Sequence, residues 1–238
     1  MPGSLKSRPV PHSEPIHLRP TAELAERVLL PGDPGRALML AQALLQEPRM
    51  FNHHRGLWGY TGAAPDGLPL TIQSTGMGGP SAAIVLSELV MLGARRAIRV
   101  GTCGALDRAL SVGELVIADS AICADGTSRA LGAGELAGAD EALSSALARH
   151  APAARRGTAV SVDLFYEDGP PGAGRDALVV EMEAATLFAL GARLAVAVAC
   201  VLVVSDAFGP AGERERIDDH ALLAGAEAMG AAAIAALS

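Results

Sequence analysis

Short apolar runs, each emptying into a glycine-rich turn and then into a helix-period pattern, constrain this chain more than any other feature. Arg27-Val28-Leu29-Leu30 leads into Pro31-Gly32-Asp33-Pro34-Gly35, and a helical pattern follows from Arg36 to Gln46. Asp33 suits its N-cap and Pro34 its first turn. Leu70–Thr75 leads into Gly76-Met77-Gly78-Gly79-Pro80. The next segment, Ser81–Leu92, carries Ile84, Val85, Leu89 and Leu92 at helical spacing, and Gly93 stops it. Ala97–Val100 is a third strand, closed by Gly101-Thr102-Cys103-Gly104. Glu114–Ala118, Thr158–Val162, Leu178–Met182 and Leu194–Val204 read as further strands. Ala139–His150, Glu183–Leu190 and Asp219–Leu237 read as further helices. Strands alternating with helices predict an α/β fold: a single domain with a central mixed β-sheet flanked by helices on both faces. Residues 1–14, polar and proline-rich, read as a flexible leader, and residues 15–238 as the single domain.

Composition narrows the function classes. Half of the 238 residues are apolar but only 3% are aromatic, so the core must be built from Ala, Val, Leu and Ile. The net charge of -7 disfavours sequence-independent nucleic-acid binding, which needs Lys and Arg against phosphate. A few well-placed arginines still suffice for a small anion. Cys103, Cys123 and Cys200 are odd in number and widely spaced, which suggests neither a disulfide framework nor a zinc site. The first residues lack the apolar stretch of a signal peptide, and the longest apolar run, Leu194–Val204, falls short of the ~20 residues a bilayer span needs. The expectation is a cytoplasmic protein without membrane or nucleic-acid partners.

Ligands of open α/β sheets bind at the carboxyl ends of strands, where the glycine turns lie here. Backbone N–H groups there can hold an anion. Arg36 falls in the first turn of its helix, and Arg99 lies inside an apolar strand one residue before its glycines. An arginine buried there must meet either an anion or a carboxylate, and the spacing leaves both readings open. Glu181-Met182-Glu183 ends a strand with two carboxylates on one face. They suit a metal, an acid–base pair, a sugar diol or a helix cap. Ser205-Asp206 ends the most apolar strand, where desolvation suits Asp206 to proton donation, unless it merely caps the next segment. Phe165 and Tyr166 fit either stacking on a planar ligand or core packing.

Five ordered segments resemble one family from about His17 to the last helix. They are Val28-Leu29-Leu30-Pro31-Gly32-Asp33-Pro34-Gly35-Arg36, Thr75-Gly76-Met77-Gly78-Gly79-Pro80-Ser81, Arg99-Val100-Gly101-Thr102-Cys103-Gly104, Glu181-Met182-Glu183-Ala184 and Val204-Ser205-Asp206. Together they look like the trimer/hexamer class of nucleoside phosphorylases, which includes the bacterial hexameric purine nucleoside phosphorylases and the uridine phosphorylases. The resemblance implies phosphorolysis of purine nucleosides to free base and ribose 1-phosphate, with inorganic phosphate as co-substrate and no cofactor or metal. It implies phosphate binding by Gly32, Arg36, Arg99 and Thr102. Arg55 resembles an arginine that reaches into a neighbouring subunit's phosphate site. His17 resembles a histidine that touches a neighbour's ribose 5′-hydroxyl. Met77, Met182 and Glu183 would line the ribose. Phe165, Glu181, Ser205 and Asp206 would face the base, and Asp206 would protonate N7. A helper arginine is expected beyond Asp206, with Arg216 preferred to Arg214.

The resemblance also implies a homo-oligomer, a hexamer built as a trimer of dimers. The stretch Ser161–Tyr166 resembles the purine enzymes, and the Gln-x-Arg pair with which uridine phosphorylases read uracil is not found. Two segments depart from the family by being short: Gly169–Asp176 and Ala207–Gly212. Three alternatives remain: a uridine phosphorylase, a nucleosidase that uses water, and a nucleoside-binding or sensing protein without turnover.

Overall fold

The computed structural model describes residues 14–166, 176–208 and 213–238. In chain order the elements are β1 (Arg27–Leu30), α1 (Pro34–Leu44), β2 (Gln46–Asn52), β3 (Gly59–Ala63), β4 (Pro69–Gln73), α2 (Gly79–Leu92), β5 (Arg96–Ala105) and β6 (Leu115–Cys123). There follow α3 (Gly126–Ala130), β7 (Leu136–Gly138), α4 (Glu141–His150), β8 (Arg155–Ser161), β9 (Val179–Glu181), α5 (Ala184–Leu194), β10 (Ala197–Phe208), β11 (Arg214–Arg216) and α6 (Asp219–Leu237). The predicted leader (residues 1–14) lies, apart from Glu14, outside the described residues, as does most of the short 169–176 segment.

All the strands join one mixed eleven-stranded sheet. Its pairings close on themselves: β5 pairs with β10, β10 with β6, β6 with β8, β8 with β9, and β9 again with β5. The result is a ring of strands, from which β1, β4, β3 and β2 extend as an open arm. Closure leaves no free edge within the ring.

Strand alternation divides the core. Val198, Cys200, Leu202 and Val204 of β10 pack with α2 and α5, whereas Ala199, Val201 and Val203 pack with α1, α4 and α6. A strand covered on both faces must be apolar at every position, which is why Leu194–Val204 reads as an unbroken apolar run. With so few aromatic residues, the helices lie close against the sheet through alanines such as Ala226 and Ala233 of α6. By length and composition α6 is apolar enough to cross a membrane; here it lies over the sheet with Met229 and Leu237 fully buried.

The ends of the elements follow local chemistry. Asp33 accepts from the Arg36 N–H at 2.7 Å and caps α1, and Asp140 and Asp218 cap α4 and α6 in the same way. Gly93 ends α2 in the left-handed region, as its position predicts. The structure corrects three expectations. Gly101–Gly104 is not a turn, because β5 continues through it and pairs with β10. Leu194 closes α5 instead of opening β10, which runs on past Val204 to Phe208. The strands β2, β3, β7 and β11 and the helix α3 were not foreseen. β2 is mostly exposed and contains Pro48, so it offers no apolar alternation to read.

Ala195 caps α5 at φ 55, ψ 45, a conformation glycine adopts without strain. Ala195→Gly is expected to stabilise the fold by about 1 kcal/mol, raising Tm by roughly 2–4 °C in a thermal melt.

Candidate active site

A cavity of about 740 Å³ opens where the carboxyl ends of β1, β5, β9 and β10 meet the loop after β4. At one end lie two guanidinium groups. Arg36 enters from the first turn of α1 and forms no ion pair among the described residues. Burial holds its pKa below the ordinary arginine value; Asp33 pulls it back up, and the nearby Arg99 pushes it down again. Gly32 and Thr102 line the same end.

Arg99 is 4% exposed and lies between two carboxylates. Its Nε donates to Glu181 Oε2 at 3.0 Å, and its Nη2 lies 2.5 Å from Glu183 Oε2. Burial alone would lower its pKa, but Glu183 and then Glu181 outweigh burial and raise it. Its Nη1 is buried with no hydrogen-bond partner among the described residues. A buried donor without a partner is costly, so this nitrogen marks where an acceptor belongs. The sequence left a choice between an anion and a structural ion pair for Arg99. The structure shows the ion pairs and leaves one donor over.

Gly101 explains itself at this point. A Cβ there would lie 2.9 Å from Arg99 Cζ and Nη2, so the guanidinium folds back across a bare backbone. The glycine permits close approach within a strand, not a turn.

The two glutamates have different work. Glu181 is one of the most enclosed groups in the fold: Arg99 Nε, Ser161 Oγ and the N–H groups of Glu183 and Ala184 all donate to it. Expected at the base, its carboxylate is instead consumed in anchoring Arg99 and the start of α5. Glu183 accepts from the Gly78 N–H at 2.5 Å as well as from Arg99, which ties the loop after β4 to the arginine. Burial raises the Glu183 pKa, Arg99 opposes this, and Glu181 adds to it. Met77 and Met182 flank it on the cavity wall, Met77 being 87% exposed at the mouth.

The far end of the cavity is set by a bulge. Between Val204 and Asp206 the β10–β5 register slips, so the adjacent side chains of Ser205 and Asp206 both reach the cavity. Asp206 is 8% exposed, in keeping with the desolvation expected of it. Ser205 Oγ lies 3.1 Å from an Asp206 carboxylate oxygen and donates to the Cys103 carbonyl. β11 pairs antiparallel with β10, placing Arg216 opposite Asp206 and Arg214 opposite Phe208. Both arginines therefore share Asp206's face of the sheet. The preference for Arg216 as the partner is corrected here: Arg214 reaches diagonally and forms the ion pair with Asp206, while Arg216 lines the cavity. Arg214 also stacks on Phe208 at 5.3 Å, and Arg108 does the same. Phe208 was not foreseen as a site residue; its place two residues beyond Asp206 on one strand face is the signal that was available. Phe165 lines the cavity half-exposed, edge-on to Tyr166 at 5.0 Å.

His17 and Arg55 do not line the cavity. Arg55 stands exposed in a left-handed conformation (φ 58) within the turn His54–Gly56. His17 is held by Glu88 of α2, whose carboxylate takes His17 Nδ1 at 2.7 Å and the N–H groups of Ile16, His17 and Leu18. Burial would raise the Glu88 pKa, but His17 and then these N–H groups bring it below the ordinary value. Partial burial and then the nearby Arg19, Arg55, His53 and His17 hold the His54 imidazole low.

No group of three or more His, Cys, Asp or Glu with metal-binding geometry occurs among the described residues. Glu181→Gln is expected to destabilise the protein by about 3–5 kcal/mol in urea unfolding, because it strips charge from a buried pair and leaves Arg99 short of a partner. A change below 1 kcal/mol would contradict the anchoring role.

A family model described as the phosphorylase superfamily matches residues 26–237. A DeoD-type purine nucleoside phosphorylase of Geobacillus kaustophilus is 36% identical over 196 residues, covering 78% of this chain and 83% of that protein. The Exiguobacterium sp. protein of the same name is 38% identical over 195 residues, covering 77% and 82%. The crystal structure of uridine phosphorylase from Vibrio fischeri superposes with a TM-score of 0.80 at 25% identity, covering 90% of this chain and 92% of the other.

Proposed function

The chain belongs to the phosphorylase superfamily, and from that premise we propose that it is a purine nucleoside phosphorylase, which converts a purine nucleoside and inorganic phosphate to free base and ribose 1-phosphate. One observation carries the reading: buried Arg99, whose Nη1 has no partner among the described residues, and Arg36, which forms no ion pair among them, line one end of a cavity whose other end holds Asp206. A water-using nucleosidase has no need of such an anion site.

In the proposed reaction phosphate lies against Arg36, Arg99, Gly32 and Thr102, and Glu183 accepts from the ribose 2′- and 3′-hydroxyls. The C1′–N9 bond breaks and its electron pair goes to the base. Positive charge grows on the ribose ring beside the phosphate, whose oxygen then bonds C1′. Asp206, which must first take up a proton as its ion pair with Arg214 opens in the substrate complex, delivers that proton to N7 and neutralises the leaving base, and Arg214 then holds the carboxylate that remains. Met77 and Met182 enclose the sugar, and Phe165 and Phe208 offer aromatic surface to the purine.

The active unit of the proposal is an oligomer, a hexamer built from dimers. Within one chain Arg36 and Arg99 are balanced by Glu181 and Glu183, so a phosphate dianion finds little net positive charge. Arg55 of a neighbouring copy supplies a third guanidinium, and its exposure outside its own cavity suits that role. His17, moored by Glu88, reaches a neighbour's ribose in the same way. Three buried cysteines, all free, fit a reducing cytoplasm.

Phosphate-dependent release of base from a nucleoside panel tests the function. Product from inosine, guanosine or adenosine with phosphate is expected. Product from uridine alone would instead favour the uridine enzyme that the Vibrio fischeri likeness suggests. Turnover without phosphate would indicate a nucleosidase, and binding without turnover a sensor. Arg36→Ala, which breaks no ion pair among the described residues, is expected to raise the phosphate KM at least about tenfold, since a charge-assisted contact is worth about 1.5–3 kcal/mol. Asp206→Asn should lower kcat on purine nucleosides by about 10²-fold or more while nucleoside binding changes little. An unchanged kcat would remove Asp206 from the mechanism.

A further inference from the structure

Resting on the purine nucleoside phosphorylase reading of the site, we infer that Asp125, a buried carboxylate outside the cavity, is a positioning residue that acts through Thr186 to aim Glu183 at the ribose hydroxyls. Asp125 follows β6 and is fully buried. It does not line the cavity, and it forms no ion pair among the described residues. A buried carboxylate without a cation must be satisfied by hydrogen bonds, so its partners show what it holds in place. The Ser128 N–H donates to Oδ2 at 2.8 Å and Ser128 Oγ donates to Oδ1, which caps α3. Thr186 Oγ1, on an equally buried residue, donates to Oδ2 at 2.7 Å.

Thr186 lies in the first turn of α5, and Glu183 immediately precedes that helix. The start of α2 presses on the same two groups: a Cβ at Gly79 would lie 2.6 Å from Thr186 Oγ1 and 3.0 Å from Asp125 Oδ2. Two long helices thus begin beside one carboxylate, where the partial positive charge of their first turns favours it. Glu183 sits across this junction. Its backbone leads into α5, while its Oε1 accepts from the N–H of Gly78, the residue before α2. The Asp125–Thr186 bond therefore sets the spacing between the two elements that hold Glu183. Without that bond the start of α5 is free to draw away from Gly78, and the carboxylate pivots on its remaining contact with Arg99. A pivot is felt most by a substrate that offers Glu183 two hydroxyls, and less by one that offers a single hydroxyl.

The test is kcat/KM at saturating phosphate for a purine ribonucleoside that the protein turns over and for its 2′-deoxy counterpart, in the parent protein, Thr186→Val and Thr186→Ser. Valine keeps the shape of threonine and removes its hydroxyl; serine keeps the hydroxyl. Thr186→Val is expected to lower kcat/KM at least about fivefold for the ribonucleoside, the worth of one hydrogen bond, and at most about twofold for the 2′-deoxy form. Thr186→Ser should keep the ratio of the two within about twofold of the parent's. Asp125→Ala should lower the ratio in the parent and leave it unchanged in a Thr186→Val background, because the two residues act as one unit. The ratio is taken within each preparation, so a uniform loss of folded enzyme cancels. If loss of the α3 cap keeps Asp125→Ala from folding, Thr186→Val alone decides. An equal fall on both nucleosides in Thr186→Val, or no fall, would overturn the inference and leave Asp125 as a helix cap, with phosphorolysis by the parent intact. Failure of the parent to release base with phosphate would instead overturn the functional reading beneath it.

Discussion

A charged arginine enclosed between two buried glutamates organises this molecule. Arg99 stands on β5 between Leu30 of β1 and Cys200 of β10, and β9 joins the same strand further on, at Gly104 and Ala105. Glu181 closes β9 and Glu183 opens α5. Their attraction to one guanidinium draws the strand ring, the start of a core helix and the Gly78 loop to a single point. Such a cluster contributes little net stability, because desolvation consumes most of the Coulombic gain. What it provides is definition: the carboxylates fix the guanidinium at the cavity wall and leave its Nη1 without a partner among the described residues. The same contact joins the sugar and phosphate ends of the proposed site, since Glu183 touches Arg99 directly.

The second fixed point is the end of β10. A regular strand would send Ser205 and Asp206 to opposite faces, and the bulge sends both to the cavity. β11 then returns alongside and brings its arginines over the carboxylate. At Gly104 an added Cβ would meet Arg214 Nη2 at 3.2 Å and Asp206 Oδ1 at 3.3 Å, so the bare backbone of β5 makes room for this pair as it does for Arg99. The two glycines first read as a turn are clearances for two ion pairs.

Much of this was legible in the sequence. The β1–α1 and β4–α2 units were plain because cap, proline and apolar period agree with one another at Asp33, Pro34 and Gly93. The bounds of α6 came out of the sequence unchanged, since Asp218 and an unbroken alanine-rich run define it. The conversion of Gly101–Gly104 from turn to strand was not legible, because glycine chemistry is the same for a turn and for a close approach. Nor was the choice between Arg214 and Arg216, which depends on register with a facing strand. Glu181 and Glu183 look equivalent in the sequence. They differ because the first lies within the sheet and is surrounded by donors, while the second lies at its edge. Glu88 gave no signal at all: a glutamate on a helix ordinarily faces water, and its partners are some seventy residues away in the chain.

The Glu88 mooring also settles a question of protons. A carboxylate 2.7 Å from Nδ1 requires that nitrogen to carry hydrogen, in the neutral ring as in the charged one. The neutral His17 ring is therefore held as a single tautomer, with Nε2 bare and turned from the carboxylate. It presents a lone pair, not a hydrogen, to whatever approaches. A hydroxyl satisfies that lone pair by donating, whereas a carbonyl or an ether finds no donor there until the ring gains a second proton. The choice of what the N-terminal arm can hold is thus made by a buried residue on α2.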